Sequence, residues 1–362
     1  MKITGAVTRV VRLPYIEPLA DGPTPKGATK DFVTLKLQTD AGIEGVGVTF
    51  FGSALVRTLK HAVDELAALI VGDDPTHTEA IVQKLRNLAG TTGPGGVFTL
   101  ALSAIDIALW DIKGKALGLP VWALCGGHRD RAPTYASGAL MREFGVEHLE
   151  KAAARLVERG FRQMKTQMGG EAHASREVER IRRIREAIGP DIDLMCDINQ
   201  KWTVNTAIAI GQQVEPYHLY WLEDVTTHDD YAGLARVADA LATPVAAGEY
   251  VYGLVPFRHM LEARSVDIVM IDLVRVGGIT QWRKVAGMAE AFNVPVVSHL
   301  LPEIHVHLIP AIPNGLTVEY MPWSLQLWKE TPEMKDGKLV VPQRPGLGLE
   351  FDEAFLKRHG VE

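Results

Sequence analysis

The chain has 362 residues, 47% of them hydrophobic and 23% charged, an ordinary balance for a globular protein but more chain than one core usually organises, so two domains are expected. A net charge of −6 and a pI near 6.1 leave no basic footprint for nucleic acid, and no apolar run approaches the roughly 20 residues of a membrane helix. These features, with Cys125 and Cys196 isolated in apolar contexts as buried free thiols, suit a cytoplasmic protein.

The chain opens with MKITGAVTRVVRLPYI, which alternates as a strand and lacks the long apolar run of a signal peptide. DFVTLKLQTDAGIEGVGVTF continues as antiparallel strands, and the intervening EPLADGPTPKGATK reads as a long surface loop. Helical periodicity follows in VRTLKHAVDELAALIVG, THTEAIVQKLRNLAG and TLALSAIDIALWDIKGKALG, the last ending at Gly118 before Pro120. Residues 1–127 therefore read as an α+β domain.

Over residues 128–322 short β-rich runs alternate with amphipathic helices: APTYASG, RQMKTQ, IDLMCD, YWLED, PVAAGE, DIVMID, VPVVSH and LTVEY. Eight mostly apolar strands with helices between them predict a closed α/β barrel. A doubly wound open sheet is the alternative, but no G-x-G-x-x-G follows a strand. The tail, residues 323–362, has strand-like KLVVP and PGLGLEF and a helix in DEAFLKRHG, and is expected to return to the N-terminal domain.

The strand ends carry the sharper signal. IDLMCD ends in Asp197, YWLED carries Glu223, PVAAGE ends in Glu249, DIVMID in Asp272 and VPVVSH in His299, while LTVEY carries Glu319. In a parallel barrel these ends converge on one face, where such enzymes place their sites. A single acid after a strand is usually a helix cap or a solvated loop residue. Three on successive β/α units would repel one another in a confined mouth and take up protons, unless a hard cation held them. An all-oxygen donor set of this kind fits Mg²⁺, with Mn²⁺ possible. Asp272 and His299 end neighbouring strands, and a carboxylate beside an imidazole makes either a structural hydrogen bond or a general base.

At this point the chain resembles the mandelate racemase subgroup of the enolase superfamily, essentially end to end. The resemblance rests on the GKALGLPVWALCGG link, Lys165-Thr166-Gln167 at the place of a K-x-K pair, and Asp197-Ile198-Asn199 as D-x-N. It rests equally on Glu223 in WLED, Glu249 in AAGEY, D-x-x-R-x-G-G from Asp272 to Gly278, His299 in its S-H pattern, and Glu319. It implies a modified (β/α)7β barrel with an N-terminal α+β capping domain, and assembly as dimers up to octamers. It also implies abstraction of the proton next to a carboxylate, with Asp197, Glu223 and Glu249 as metal ligands, His299 and Asp272 as base and partner, Lys165 and Glu319 on the substrate carboxylate, and Asn199 on the metal side or on a substrate hydroxyl.

One position departs from the pattern. The second lysine of K-x-K is here Gln167, an amide with no useful proton transfer near neutral pH. Two-base racemisation needs a competent group on each face, so the expectation shifts to one-base β-elimination. His299 takes the α-proton and returns it to a departing 3-hydroxyl, giving a 2-keto-3-deoxy acid from an aldonic or aldaric acid, with Gln167 holding a substrate hydroxyl. The alternatives are a one-base isomerase or cycloisomerase, an epimerase using Lys165, His173 or Lys201 as second base, and a non-catalytic metal-binding homologue. His305 and His307 are expected to be structural. Lys26 and Lys30 are either solvated or in contact with a distal carboxylate, and Phe50, Phe51, Trp202 and Trp323 are apolar wall candidates.

Overall fold

Three antiparallel strands begin the chain: β1 (Ile3–Pro14), β2 (Thr29–Thr39) and β3 (Glu44–Phe50), with Val10 opposite Val33 and Leu35 opposite Gly47. The computed structural model describes residues 1–24, 26–51 and 53–361. Helices α1 (Val56–Ala68) and α2 (Thr78–Ala89) bury one face each, while α3 (Val97–Leu117) is buried on nearly every side. Its near-continuous apolar sequence is what a helix wedged between two layers requires, and it stops where Gly118 turns left-handed at φ 68°.

A short helix, α4 (Val121–Leu124), leads into the barrel. The barrel strands are β4 (Arg131–Leu140), β5 (Gln163–Gln167), β6 (Asp193–Asp197), β7 (Trp221–Glu223), β8 (Val245–Ala247), β9 (Ile268–Asp272), β10 (Val296–His299) and β11 (Val318–Tyr320). Each pairs in parallel with the next from β4 to β10, and β11 pairs with β4. The last seam, between β10 and β11, is joined by a bridge from Val296 to Gly315 and by Leu316 N–H to Val296 O at 2.8 Å. The outer helices are α5 (Val146–Glu158), α6 (Ala174–Ile188), α7 (Val204–Val214), α8 (Tyr231–Ala240), α9 (Val255–Glu262), α10 (Leu273–Val276), α11 (Ile279–Ala291) and α12 (Pro302–His305).

Inside the barrel Tyr135, Met195, Trp221, Ala246, Ile268, Met270 and Val297 form a core of their own, separate from the main one. Met195, Trp221, Met270 and Val297 each stand two residues before a candidate site residue: Asp197, Glu223, Asp272 and His299. Side chains two apart share a strand face, so the strands that build this plug also aim the polar groups into the space above it.

The capping domain locks onto the barrel through α3. Asp106, fully buried, accepts from Thr280 N–H at 2.8 Å and Thr280 Oγ1 at 2.5 Å, and Trp110 Nε1 donates to Thr280 Oγ1 at 2.9 Å. A Cβ on Gly278 would lie 2.4 Å from Asp106 Oδ2, so the second glycine of the D-x-x-R-x-G-G run makes room for this contact.

The tail touches both units. β12 (Met334–Lys335) and β13 (Lys338–Val340) form a hairpin whose second strand pairs with β4. After α13 (Glu353–His359), β14 (Gly360–Val361) pairs with β1. PGLGLEF, expected as a strand, is irregular, because Gly346 at φ 73° and Gly348 at φ 64° break the pleat. Both cysteines are buried and free, as expected.

Candidate active site

The expected groups meet at the C-terminal mouth of the barrel, and all but Gln167 and Asn199 are almost wholly buried. Lys165 Nζ lies 2.6 Å from Glu223 Oε1 and 2.9 Å from Glu319 Oε1. Burial opposes its charge, but the two carboxylates overcome this and hold the ammonium well above the usual lysine range. Glu319 is pulled down to about 2 against its burial by Lys165, by His299 and by Leu300 N–H, which donates to its Oε2 at 2.7 Å. Lys165 is therefore held as a cation in this arrangement.

Gln167 shares the inward face of β5 with Lys165. Its Nε2 donates to Asn199 Oδ1 at 3.1 Å and to Asp197 Oδ2 at 3.5 Å. Asn199 in turn donates to Asp197 through its N–H at 2.8 Å and its Nδ2 at 2.7 Å.

Across the ring, His299 Nδ1 lies 2.6 Å from Asp272 Oδ2, and Asp272 Oδ1 accepts from Val274 N–H at 2.9 Å and Arg275 N–H at 2.7 Å. A carboxylate only accepts, so Nδ1 carries a proton, and Nε2 faces the mouth. Nε2 stands 3.2 Å from Glu249 Oε2. Burial pushes the imidazolium down, but Glu249, Asp272 and Glu319 outweigh it and raise His299 to about 9. The phenyl ring of Phe51, brought over by the capping domain, stacks on His299 at a 7° interplanar angle. Arg275 lies 3.8 Å above that same ring and donates to Glu249 O at 2.9 Å.

Asp197, Glu223 and Asp224 each bring a carboxylate oxygen within 4.8 Å of the others. Asp224 was legible in WLED only as the neighbour of Glu223, yet it is fully buried and neither of its oxygens has a hydrogen-bond partner. Burial raises it well above its usual value, with Glu223 and Asp197 adding to the effect. An orphaned buried carboxylate beside two others fits a hard divalent cation. Glu249, on the next strand end, is turned toward His299; burial lifts it to about 7. It is placed there by Gly248 (φ 135°), where a Cβ would come within 2.3 Å of Met270 O.

Several of these turns hold non-glycine residues left-handed: Asn199 at φ 48°, Asp224 at 45°, Leu300 at 54° and Phe51 at 95°. Such strain gathers where the surrounding structure dictates side-chain direction. It has no signature in sequence periodicity.

Other sequence candidates lie elsewhere. His173 precedes α6 and is exposed, as are Lys201 and Lys26. His305 and His307 are buried, hydrogen-bonded to Leu300 O at 2.7 Å and Leu347 O at 3.0 Å, and pushed down to about 4 by burial, so they are neutral and structural as expected. Lys30 sits 3.3 Å over the Trp323 ring, and Trp202 is buried. Of the expected TFFGSA turn, Gly52 lies outside the described residues, as does Pro25 of the long loop.

Two family models match the chain: the mandelate racemase / muconate lactonizing enzyme N-terminal domain over residues 10–126, and the enolase C-terminal domain-like family over residues 148–355. Among curated proteins, a 3,6-anhydro-α-L-galactonate cycloisomerase of Streptomyces coelicolor is 34% identical over 98% of both chains. An L-talarate/galactarate dehydratase of Salmonella typhimurium is 31% identical over 94% of this chain and 87% of its own. A solved L-talarate dehydratase from Polaromonas sp. JS666, complexed with Mg and L-glucarate, superposes with a TM-score of 0.92 at 30% identity, covering 100% of this chain and 98% of its own. The mouth of acids, the His–Asp pair and the capped barrel thus belong to a chain that is a member of the mandelate racemase / muconate lactonizing enzyme family of the enolase superfamily.

Proposed function

We propose that this protein abstracts the proton next to the carboxylate of a sugar acid and eliminates the 3-hydroxyl as water, with His299 serving both steps. The observation that carries this reading is asymmetry. On the ring of strands His299 stands with its Asp272 partner on one side, while the facing position on β5 offers only the neutral amide of Gln167. One competent base suits a reaction that removes and returns a proton on the same face.

Asp197 and Glu223 would hold the divalent cation, with Glu249 or Asp224 as the further ligand; Mg²⁺ suits these oxygens, and Mn²⁺ is the alternative. When bound, the cation supplies Lewis-acid stabilisation of the negative charge that develops on the substrate carboxylate. Lys165, charged and held between two glutamates, faces that carboxylate from the other side, with Glu319 positioning it. In its neutral form, protonated only at Nδ1 toward Asp272, His299 takes the α-proton on Nε2, and the resulting imidazolium donates to the leaving hydroxyl. Phe51, parallel to the imidazole with ring centroids 6.3 Å apart, adds an apolar wall beside it. Gln167 and Asn199 orient substrate hydroxyls. The product is a 2-keto-3-deoxy acid after tautomerisation.

Incubation with Mg²⁺ and a panel of aldonic and aldaric acids, scored for 2-keto acid, tests this. No product from folded, metal-loaded protein overturns it. The second reading, cycloisomerisation of a related acid, has support from the 34% identical relative of that activity. It yields a product of unchanged mass. Both readings begin with removal of the α-proton, which exchange into deuterated water reports. We propose, further, that the working form is a homo-oligomer.

A further inference from the structure

We propose that Arg142 is the residue that selects a dicarboxylic substrate, by binding the carboxylate at the far end of an aldaric acid; this rests on the sugar-acid reading above. Arg142 follows β4 directly, at the rim of the mouth. Its Nη2 donates to Asn199 Oδ1, the same oxygen that receives Gln167 Nε2 at 3.1 Å, and to Asp197 O at 3.4 Å. Its guanidinium thus touches the amide pair assigned to substrate hydroxyls, yet it pairs with no carboxylate among the described residues. Its Nε is buried without a partner. The other mouth cations are engaged: Lys165 between two glutamates, and Arg275 on Glu249 O and the Phe51 ring.

The loop that carries Arg142 is rigidly built. Arg180, itself 3% exposed, donates to Phe144 O at 2.9 Å, Arg142 O at 2.9 Å and Met141 O at 3.3 Å. One turn earlier on α6, Glu177 Oε1 accepts from Gly169 N–H at 2.8 Å and Glu171 N–H at 2.9 Å. This holds the glycine pair against the aliphatic stem of Arg142, where a Cβ on Gly170 would already lie 3.5 Å from Arg142 Cβ. A guanidinium fixed in place, with Nη2 on neutral acceptors and no carboxylate of its own, matches a carboxylate ligand. The reacting carboxylate belongs to Lys165, so the anion at Arg142 is the second one.

The test is calorimetric binding in Mg²⁺ of galactarate against galactonate and of D-glucarate against D-gluconate, pairs that differ only at the far carbon. With Arg142 in place at least one diacid should bind about tenfold or more tightly than its monoacid partner. Arg142→Gln should collapse that ratio toward one, and Arg142→Lys should recover part of it; thermal melts confirm that both variants fold. A ratio near one with Arg142 in place, no diacid binding at all, or a ratio unchanged by Arg142→Gln would overturn the proposal. So would a ratio lost in Lys30→Met but kept in Arg142→Gln, because the selecting cation would then be Lys30 over Trp323. Every titration is made in the His299→Asn background, where the acids bind without turnover, so a failure of the elimination chemistry shows separately in keto-acid and deuterium-exchange assays of protein that keeps His299.

Discussion

His299 holds its proton through two carboxylates, Asp272 on Nδ1 and Glu249 on Nε2, and each makes a different prediction. Replacing His299 by Asn should abolish α-proton exchange into deuterated water, a loss of at least about 10³-fold, while Mg²⁺ affinity changes little. Glu249→Gln removes the first of the groups that raise His299, so its titration, followed by NMR in cation-free protein, should fall from about 9 toward neutrality. Asp224 and Glu249 are the two candidates for a third ligand beside Asp197 and Glu223. Isothermal titration of Mg²⁺ into Asp224→Asn and Glu249→Gln separates them: the true ligand loses affinity by about 10- to 100-fold or more, the other by much less. A Gln167→Lys variant places a second titratable group beside Asn199 and, on the proposed reading, should gain measurable epimerisation of an acid that the unmodified protein does not epimerise. If none appears although the lysine titrates, the missing base is not what confines the chemistry to one face.

Among the elements, α3 and α11 form the joint on which cap and barrel depend. Asp106 caps the start of α11 from another domain, and burial raises its carboxyl to about 7 although Thr280 hydrogen-bonds oppose the rise. Asp106→Ala leaves Thr280 N–H and Oγ1 without their acceptor in a buried joint. We expect a loss of about 2–4 kcal/mol in urea unfolding, with reduced activity following from misplacement of Phe51 over His299. A loss under about 0.5 kcal/mol would show that the joint is held by apolar packing alone.

For the molecule as a whole, the mouth makes stability depend on pH and cation together. His299 is raised from 6.5 to about 9, so its contribution is complete below 6.5 and lost as pH rises through 9. Glu249 and Asp106, raised to about 7 from ordinary acid values of 4.5 and 3.8, lose theirs between those values and 7. Glu319 and Asp272 are lowered, so their contribution is present above their ordinary values and lost as pH falls below them. Protein stripped of divalent cations should therefore be most stable in mildly acidic solution and weaken by on the order of 1–3 kcal/mol toward pH 9. Saturating Mg²⁺ should reverse that slope, because the carboxylates bind it only when ionised, adding about 2.7 kcal/mol at a hundredfold excess over its Kd. Chemical denaturation at several pH values, with and without Mg²⁺, reads both terms.

Much of this was legible in the sequence for a physical reason. Period-2 alternation on apolar strands fixes which side chains share the inward face, and the ends of parallel strands must converge, so the sequence places Asp197, Glu223, Asp272, His299 and Glu319 at one mouth. What only the tertiary structure decided lies in turns and long-range contacts. Asp224 points inward because its backbone is left-handed at φ 45°, and Glu249 turns to His299 because Gly248 passes close to Met270. Arg142 meets Asn199 because Arg180 pins a loop that is adjacent in space, and Phe51 reaches His299 from another domain. Periodicity carries none of these, since each depends on where distant backbone has already been placed.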